Sequence, residues 1–113
     1  TKLDEPTEEN DQMLWFSVRG DEMTIDDWHN PERRTVQRLT YHLMNDGNKQ
    51  GVLLVLNGTE AVKNVTLPKP KEAKGFELLW DSALELPPER ELVLVPGAKL
   101  RMVETSIQLF RVL

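Results

Sequence analysis

The chain has 113 residues, of which 39% are apolar and 29% charged, and its formal net charge is −5 at pH 7. This is the size and composition of one globular domain with a single core. The negative charge disfavours nucleic acid as a partner, no segment has the roughly 20 apolar residues of a membrane span, and without cysteine there is no disulfide framework. We expect a cytoplasmic protein.

The first eleven residues differ in composition from the remainder. Residues 1–11 hold five acids, one lysine, a proline and a single leucine. Such a segment has too little apolar surface to offset the entropy cost of ordering it. We therefore predict a linker or tail over residues 1–11 and a domain over residues 12–113. A chain that begins at Thr1 also suits a domain cut from a larger protein.

From residue 12 onward the sequence predicts β-strands. Residues 13–18 are bulky and β-prone, and residues 35–43 alternate between apolar and polar side chains, as a half-buried strand does. Residues 51–57 are apolar on both faces and predict a central strand. We expect residues 61–67, which follow a short Asn-Gly-Thr-Glu turn, to be its hairpin partner.

The second half of the chain continues this pattern. Strands are predicted over residues 76–80, 92–95 and 106–113, with a short one over residues 100–103. One helical turn is predicted within residues 26–34, with Thr24 or Asp26 as its N-cap. A strand about every 10 to 15 residues, with turn signals between strands and no amphipathic helix, predicts an all-β sandwich or barrel.

The segment over residues 15–33 is the most specific part of the sequence. It joins two predicted strands and contains two tryptophans, a Gly-Asp turn and several acids. A turn between adjacent strands needs only about two to five residues. We interpret this segment as the contact surface of a domain that belongs to a larger protein.

Residue types with catalytic potential do not form a convincing site. Glu22, Asp26 and Asp27 lie close together, but acids in loops are more often solvated or capping. His29 and His42 lie on different elements and lack metal-binding spacing. No phosphate-binding glycine loop or nucleophile elbow is present. We expect no enzymatic activity, metal or cofactor in these 113 residues.

The three tryptophans have different expectations. Trp15 and Trp80 lie within predicted strands, and we expect both in the core. Trp28 lies in the long loop, where a core role, a contact with another domain and a sugar contact all stay open. If Trp80 were exposed, a sugar-binding role would gain support, because planar rings stack on glucose units.

Residues 11–34 resemble the start of the C-terminal domain of isoamylase-type bacterial glycogen debranching enzymes, members of glycoside hydrolase family 13. The family segment reads D-x-x-W-F-x-x-x-G-x-E-M-T-x-x-D-W-x-x-P-x-x-R. The positions that carry it here are Asp11, Trp15, Phe16, Gly20, Glu22, Met23, Thr24, Asp27, Trp28, Pro31 and Arg34.

Weaker similarity extends over about nine-tenths of the chain. Residues 52–57 and 65–68 resemble the apolar run ending in Asn and the later strand ending in Leu-Pro. Residues 76–83 resemble a Trp-x-x-x-x-Asp-Thr-Ala stretch, with Phe for Trp and Ser for Thr. Residues 106–110 resemble the closing strand of that domain.

The resemblance implies an antiparallel β-sandwich of about seven to eight strands that follows a catalytic (β/α)8 barrel. The parent enzyme would hydrolyse α-1,6 branch linkages of glycogen or limit dextrin, and its catalytic acids would belong to the barrel. No carboxylate of this chain matches them, so we expect no catalytic residue here.

Two functions follow as alternatives. In the first, which we favour, the domain covers apolar surface on the barrel; in the second, it is an accessory α-glucan-binding module. An immunoglobulin-like adhesion domain is a more remote alternative. It is disfavoured because the sequence shows no signal-peptide pattern and no cysteine. The candidate contacts with the barrel or with glucan are Gly20, Glu22, Met23, Asp27, Trp28 and Pro31.

Overall fold

A computed structural model describes residues 11–30, 34–84 and 92–113 of the chain. These residues form eight β-strands and one short helix. In chain order the elements are β1 (Asp11–Phe16), α1 (Ile25–His29), β2 (Thr35–Leu43), β3 (Lys49–Asn57), β4 (Lys63–Thr66), β5 (Phe76–Asp81), β6 (Val93–Leu94), β7 (Lys99–Met102) and β8 (Ser106–Val112). Asp11 already belongs to β1, and the rest of the predicted linker lies outside the described residues.

The strands form two antiparallel sheets. Six strands pair in the order β1-β2-β3-β8-β5-β6, and β4 pairs with β7 in a second sheet. This arrangement confirms the predicted all-β fold and is consistent with an antiparallel sandwich. Within the described ranges, the structure contains no helix long and apolar enough to cross a membrane.

The core lies between the two sheets. On β2 and β3, buried residues alternate with half-buried ones. The buried positions are 35, 37 and 39 on β2 and 51, 53, 55 and 57 on β3. Leu53 and Phe110 oppose each other on neighbouring strands and are fully buried. Met102 of β7 is also fully buried and belongs to the same cluster. The predicted period-two alternation of residues 35–43 is therefore confirmed.

The expected hairpin between residues 51–57 and 61–67 is wrong. β3 pairs with β2 and β8, whereas β4 pairs with β7 in the other sheet. The reason is Asn57, whose fully buried side chain donates to the carbonyl oxygens of Ala61 at 2.8 Å and Val103 at 2.9 Å. These bonds direct the chain across to the second sheet instead of back along β3.

A second buried amide joins the two sheets elsewhere. The Nε2 of Gln37 on β2 donates to the carbonyl oxygens of Ser17 at 3.0 Å and Thr66 at 2.8 Å. Because Ser17 follows β1 and Thr66 ends β4, one side chain ties the long loop, the large sheet and the small sheet together. Its Oε1 is buried without a partner among the described residues.

Candidate functional site

The loop after β1 folds back against its own strand. The Ser17 amide donates to the Asp21 carbonyl at 2.7 Å, and the Met23 amide donates to the Trp15 carbonyl at 2.9 Å. Phe16 and Glu22 form an isolated antiparallel bridge. These bonds hold residues 17–23 against the edge of the six-stranded sheet, so the loop is a defined part of the domain surface.

The local backbone requires a glycine at position 20. Its φ is +84°, and a Cβ at this position would lie 2.8 Å from the Thr66 carbonyl oxygen. Only glycine combines positive φ with such a close backbone approach at little cost. Gly20 therefore allows the loop to pass tightly over the end of β4, and its place in the sequence pattern is explained by packing.

The short helix α1 follows, and of the two predicted N-cap residues, Thr24 and Asp26, the N-cap is Thr24. The Asp27 amide donates to the Thr24 hydroxyl at 3.2 Å, and the Thr24 amide donates to the Asp27 carboxylate at 3.0 Å. This reciprocal capping box satisfies two amides that a helix start leaves unpaired. Asp27 is thus engaged in capping, and its role here is to fix the position of the next residue, Trp28.

Trp28 lies against Trp15 of β1. The two ring centroids are 5.1 Å apart with an interplanar angle of 76°, an edge-to-face contact. Trp28 nevertheless remains 53% exposed. Because the rings are nearly perpendicular, they do not form one flat surface of the kind that stacks on a sugar ring.

Trp15 begins a row of side chains that crosses five strands. Strand pairing places Trp15 beside Arg38, Arg38 beside Leu54, Leu54 beside Leu109, and Leu109 beside Trp80. We call these five residues the tryptophan row. With neighbouring strands about 4.8 Å apart, its two tryptophans are separated by about 19 Å.

The tryptophan row lies on the side of the six-stranded sheet that faces away from β4 and β7. We define this outer face as the tryptophan row together with the residues of the two rows that flank it on the same strands, which are Met13, Val36, Thr40, Val52, Leu56, Glu77, Ile107 and Arg111. None of these thirteen side chains is buried, although nine of them are apolar or tryptophan. The neighbours within one sheet account for their partial burial, and a second layer of described residues does not cover them.

Two expectations about tryptophan burial need correction. Trp80 is 47% exposed, so its predicted core position is wrong, and Trp15 is only half-buried. The strand register explains both cases. Phe16 occupies a core-facing position of β1, so its neighbour Trp15 faces outward. Leu78 faces the core on β5, and a bulge between Leu78 and Trp80 shifts Trp80 to the outer face, where it opposes Leu109.

Arg38 is the charged member of the tryptophan row. Its guanidinium carbon lies 5.9 Å from the Trp15 ring centroid, within range of a cation–π contact. Its Nε is buried and has no hydrogen-bond partner in the described part of the chain. By contrast, Arg111 in the adjacent row pairs with Glu77 at 3.6 Å. The outer face thus contains one cation that its own sheet does not neutralise.

On the opposite side of β1 lies a half-open groove of about 360 Å³. Its lining includes Glu22 and Tyr41, together with Gln12, Leu14 and Lys71. Burial raises the pKa of Tyr41 above its ordinary value, and the nearby Glu72 carboxylate raises it further. A second groove, of about 380 Å³, shares Phe16 and Glu22 with the first and includes Gly20.

The predicted contact residues therefore do not converge on one site. Glu22 and Gly20 line grooves, whereas Trp28 is attached to the outer face through Trp15, and Met23 is half-buried beside β1. Pro31 lies outside the described residues. No sequence pattern singled out Arg38, although the two-sided apolar pattern of residues 51–57 indicated that the reverse side of the sheet is also apolar.

The described residues contain no group of three or more His, Cys, Asp or Glu side chains that could hold a metal ion. Comparison of the sequence with protein-family models gives no match, and a search of curated proteins gives none either.

Proposed function

We propose that this chain is a non-catalytic β-sandwich domain of a cytoplasmic glycogen debranching enzyme, which packs on and stabilises the catalytic (β/α)8 barrel of the same parent chain. The parent would hydrolyse α-1,6 branch linkages of glycogen or limit dextrin. The proposal combines the sequence resemblance with one observation, the apolar outer face of the large sheet, which no second layer of described residues covers.

The outer face supports a docking role because it is apolar across five consecutive strands. In a two-layer domain, one side of a sheet packs on the core and the other side normally faces water and carries polar residues. A contiguous apolar patch instead indicates contact with another surface. Trp28 extends this patch beyond the sheet edge, since its ring contacts Trp15.

The test is the parent reading frame and its activity. A barrel with its catalytic acids encoded on the same chain would support the proposal, and its absence would refute it. In that enzyme, Trp28→Ala should lower thermal stability and reduce activity toward short and long substrates alike, because an interdomain contact affects the whole barrel. Glu60→Gln, at an exposed residue away from the outer face, is the matched control and should change neither.

The second candidate function is α-glucan binding, which the exposure of Trp28 at 53% and Trp80 at 47% favours. Single exposed rings stack on glucose units, and the groove beside Tyr41 offers polar side chains for hydroxyl groups. Titration of the 113-residue chain with maltoheptaose, followed by tryptophan fluorescence, separates the two functions. A saturable shift that Trp28→Ala or Trp80→Ala abolishes would favour glucan binding over docking.

A further inference from the structure

Arg38 imposes a requirement on any partner of the outer face, because its charged guanidinium needs hydrogen-bond acceptors that an apolar surface does not supply. Its guanidinium has five N–H donors and no acceptor, and it cannot lose its proton in a protein. Within the described ranges, the Nε is buried without a partner, and Glu77, the carboxylate of the outer face, is paired with Arg111. Trp15 supplies only a ring face to the cation, at 5.9 Å.

Any partner that covers the tryptophan row also removes water from Arg38. Leu54 lies beside Arg38 on the neighbouring strand, and Trp15 lies on its other side. Burying an arginine among such neighbours without an acceptor is strongly unfavourable, whereas a carboxylate that accepts two parallel hydrogen bonds compensates for the lost hydration. The partner therefore has to bring an acceptor to this point.

We infer that the outer face docks a protein surface whose apolar side chains surround one Asp or Glu, and that this carboxylate pairs with Arg38. The inference rests on the proposed function, in which that surface belongs to the catalytic barrel. It makes Arg38 the residue that fixes the register of docking, because the apolar side chains around it would tolerate several positions.

Other occupants fit this chemistry less well. A second copy of the chain would offer, among the residues that define the outer face, the carboxylate of Glu77, which is already paired with Arg111 at 3.6 Å. A neutral glucan carries no charge to match the guanidinium. A hydrocarbon surface would leave the cation without any acceptor.

The test measures binding in trans. The polypeptide encoded upstream of this chain in its own reading frame is expressed separately, and its affinity for the 113-residue chain is measured by calorimetry. Arg38→Met keeps the length and apolar stem of the side chain but removes the charge, and it should weaken binding at least about tenfold. Arg38→Lys should weaken binding less, because it keeps the charge but loses the planar fork.

The matched control is Arg111→Met, which removes a cation from the adjacent row of the same face. Its side chain is 51% exposed and ion-paired, so we expect an affinity change of no more than about twofold. The urea midpoint of the isolated Arg38→Met chain should be equal to or higher than that of the wild type, which separates lost docking from lost folding.

Charge reversal identifies the partner residue. Arg38→Glu should abolish binding, and one Asp→Lys or Glu→Lys change on the upstream polypeptide should restore it. Binding that responds equally to Arg38→Met and Arg111→Met would overturn the carboxylate inference and leave docking intact. Three other results would overturn both the inference and the proposed function. They are no binding by the upstream polypeptide, saturable binding of maltoheptaose at the outer face, and dimerisation of the chain that Arg38→Met abolishes.

Discussion

The side-chain amide of Asn57 donates a 2.9 Å hydrogen bond to the carbonyl oxygen of Val103, and so joins the end of β3 to the connection between β7 and β8. Its Oδ1 accepts from the Thr59 hydroxyl at 2.7 Å and the Thr35 hydroxyl at 3.2 Å. One fully buried side chain therefore fixes the point where the chain leaves the large sheet for the small one.

Replacing Asn57 should destabilise the domain severely. Asn57→Ala leaves the Ala61 and Val103 carbonyls and the Thr59 amide without the partner they have now. We expect a loss of about 3 kcal/mol or more in the free energy of unfolding, measured with urea. Asn64→Ala is the control, because Asn64 has a threonine two positions after it, as Asn57 does, but is exposed. It should change the free energy of unfolding by no more than about 0.5 kcal/mol.

Gln37→Glu should make stability depend on pH. The new carboxylate would face the carbonyl oxygens of Ser17 and Thr66, which now accept from the amide. Burial and these oxygens would raise its folded-state pKa above the ordinary value of about 4.3. The variant should therefore be most stable below about pH 4 and lose stability as pH rises through the raised pKa.

Urea unfolding of the Gln37→Glu variant at pH 4 and pH 7 measures this effect. Gln50→Glu, at an exposed position of β3, is the control and should show no comparable loss between the two pH values. Equal pH dependence of the two variants would mean that the Gln37 bridge between the sheets is unimportant for stability.

Two glycines with similar backbone angles separate conformational strain from steric contact. Gly20 has φ +84° and Gly47 has φ +86°, but only Gly20 has backbone atoms within reach of an added Cβ. Gly47→Ala should cost about 1–2 kcal/mol for the left-handed conformation alone. Gly20→Ala should cost about 2–5 kcal/mol, because the clash with the Thr66 carbonyl adds to the same strain. Thermal unfolding of both variants checks the difference.

Trp15 and Trp80 should differ in their contribution to folding although they share one row. Trp15 is half-buried and contacts both Trp28 and Arg38, so Trp15→Ala should cost about 2–3 kcal/mol. Trp80 is 47% exposed, and Trp80→Ala should cost about 1 kcal/mol or less. Equal losses in urea unfolding would show that Trp80 has packing contacts on the isolated domain comparable to those of Trp15.

Tyr41 provides a direct pKa measurement, because it is the single tyrosine of the chain. Burial and the Glu72 carboxylate should place its pKa above the ordinary value of 10.0. Since the raised pKa favours the neutral phenol, its stabilising contribution is present below pH 10 and is lost as pH rises through the folded-state pKa. Titration of phenolate absorbance should show the shift, and Glu72→Gln should reduce but not remove it.

The sequence predicted the strands well because each has its own local signal. The alternation in residues 35–43 and the apolar run in residues 51–57 required no knowledge of pairing. The pairing itself was not readable, since nothing local distinguishes a hairpin between residues 51–57 and 61–67 from a crossing to another sheet. That choice depends on buried bonds of Asn57 to residues more than forty positions away, such as Val103.

The surface was harder to predict than the fold. A tryptophan in a strand is more often buried than exposed, and Trp80 departs from this tendency because the bulge next to it shifts it to the outer face. Arg38 occupies an ordinary polar position in an alternating strand. Its significance arises only from the residues opposite it, Trp15 and Leu54, which lie on other strands.

The position of β8 affects how the domain is made. Residues Ser106–Val112 lie between β3 and β5 in the large sheet, although they are translated after both. Until β8 emerges from the ribosome, β3 has one open edge and β5 has only the two-residue β6 beside it. Folding of the large sheet during synthesis should therefore be delayed until β8 has emerged. A ribosome stalled before β8 emerges should present an incomplete, protease-sensitive sheet.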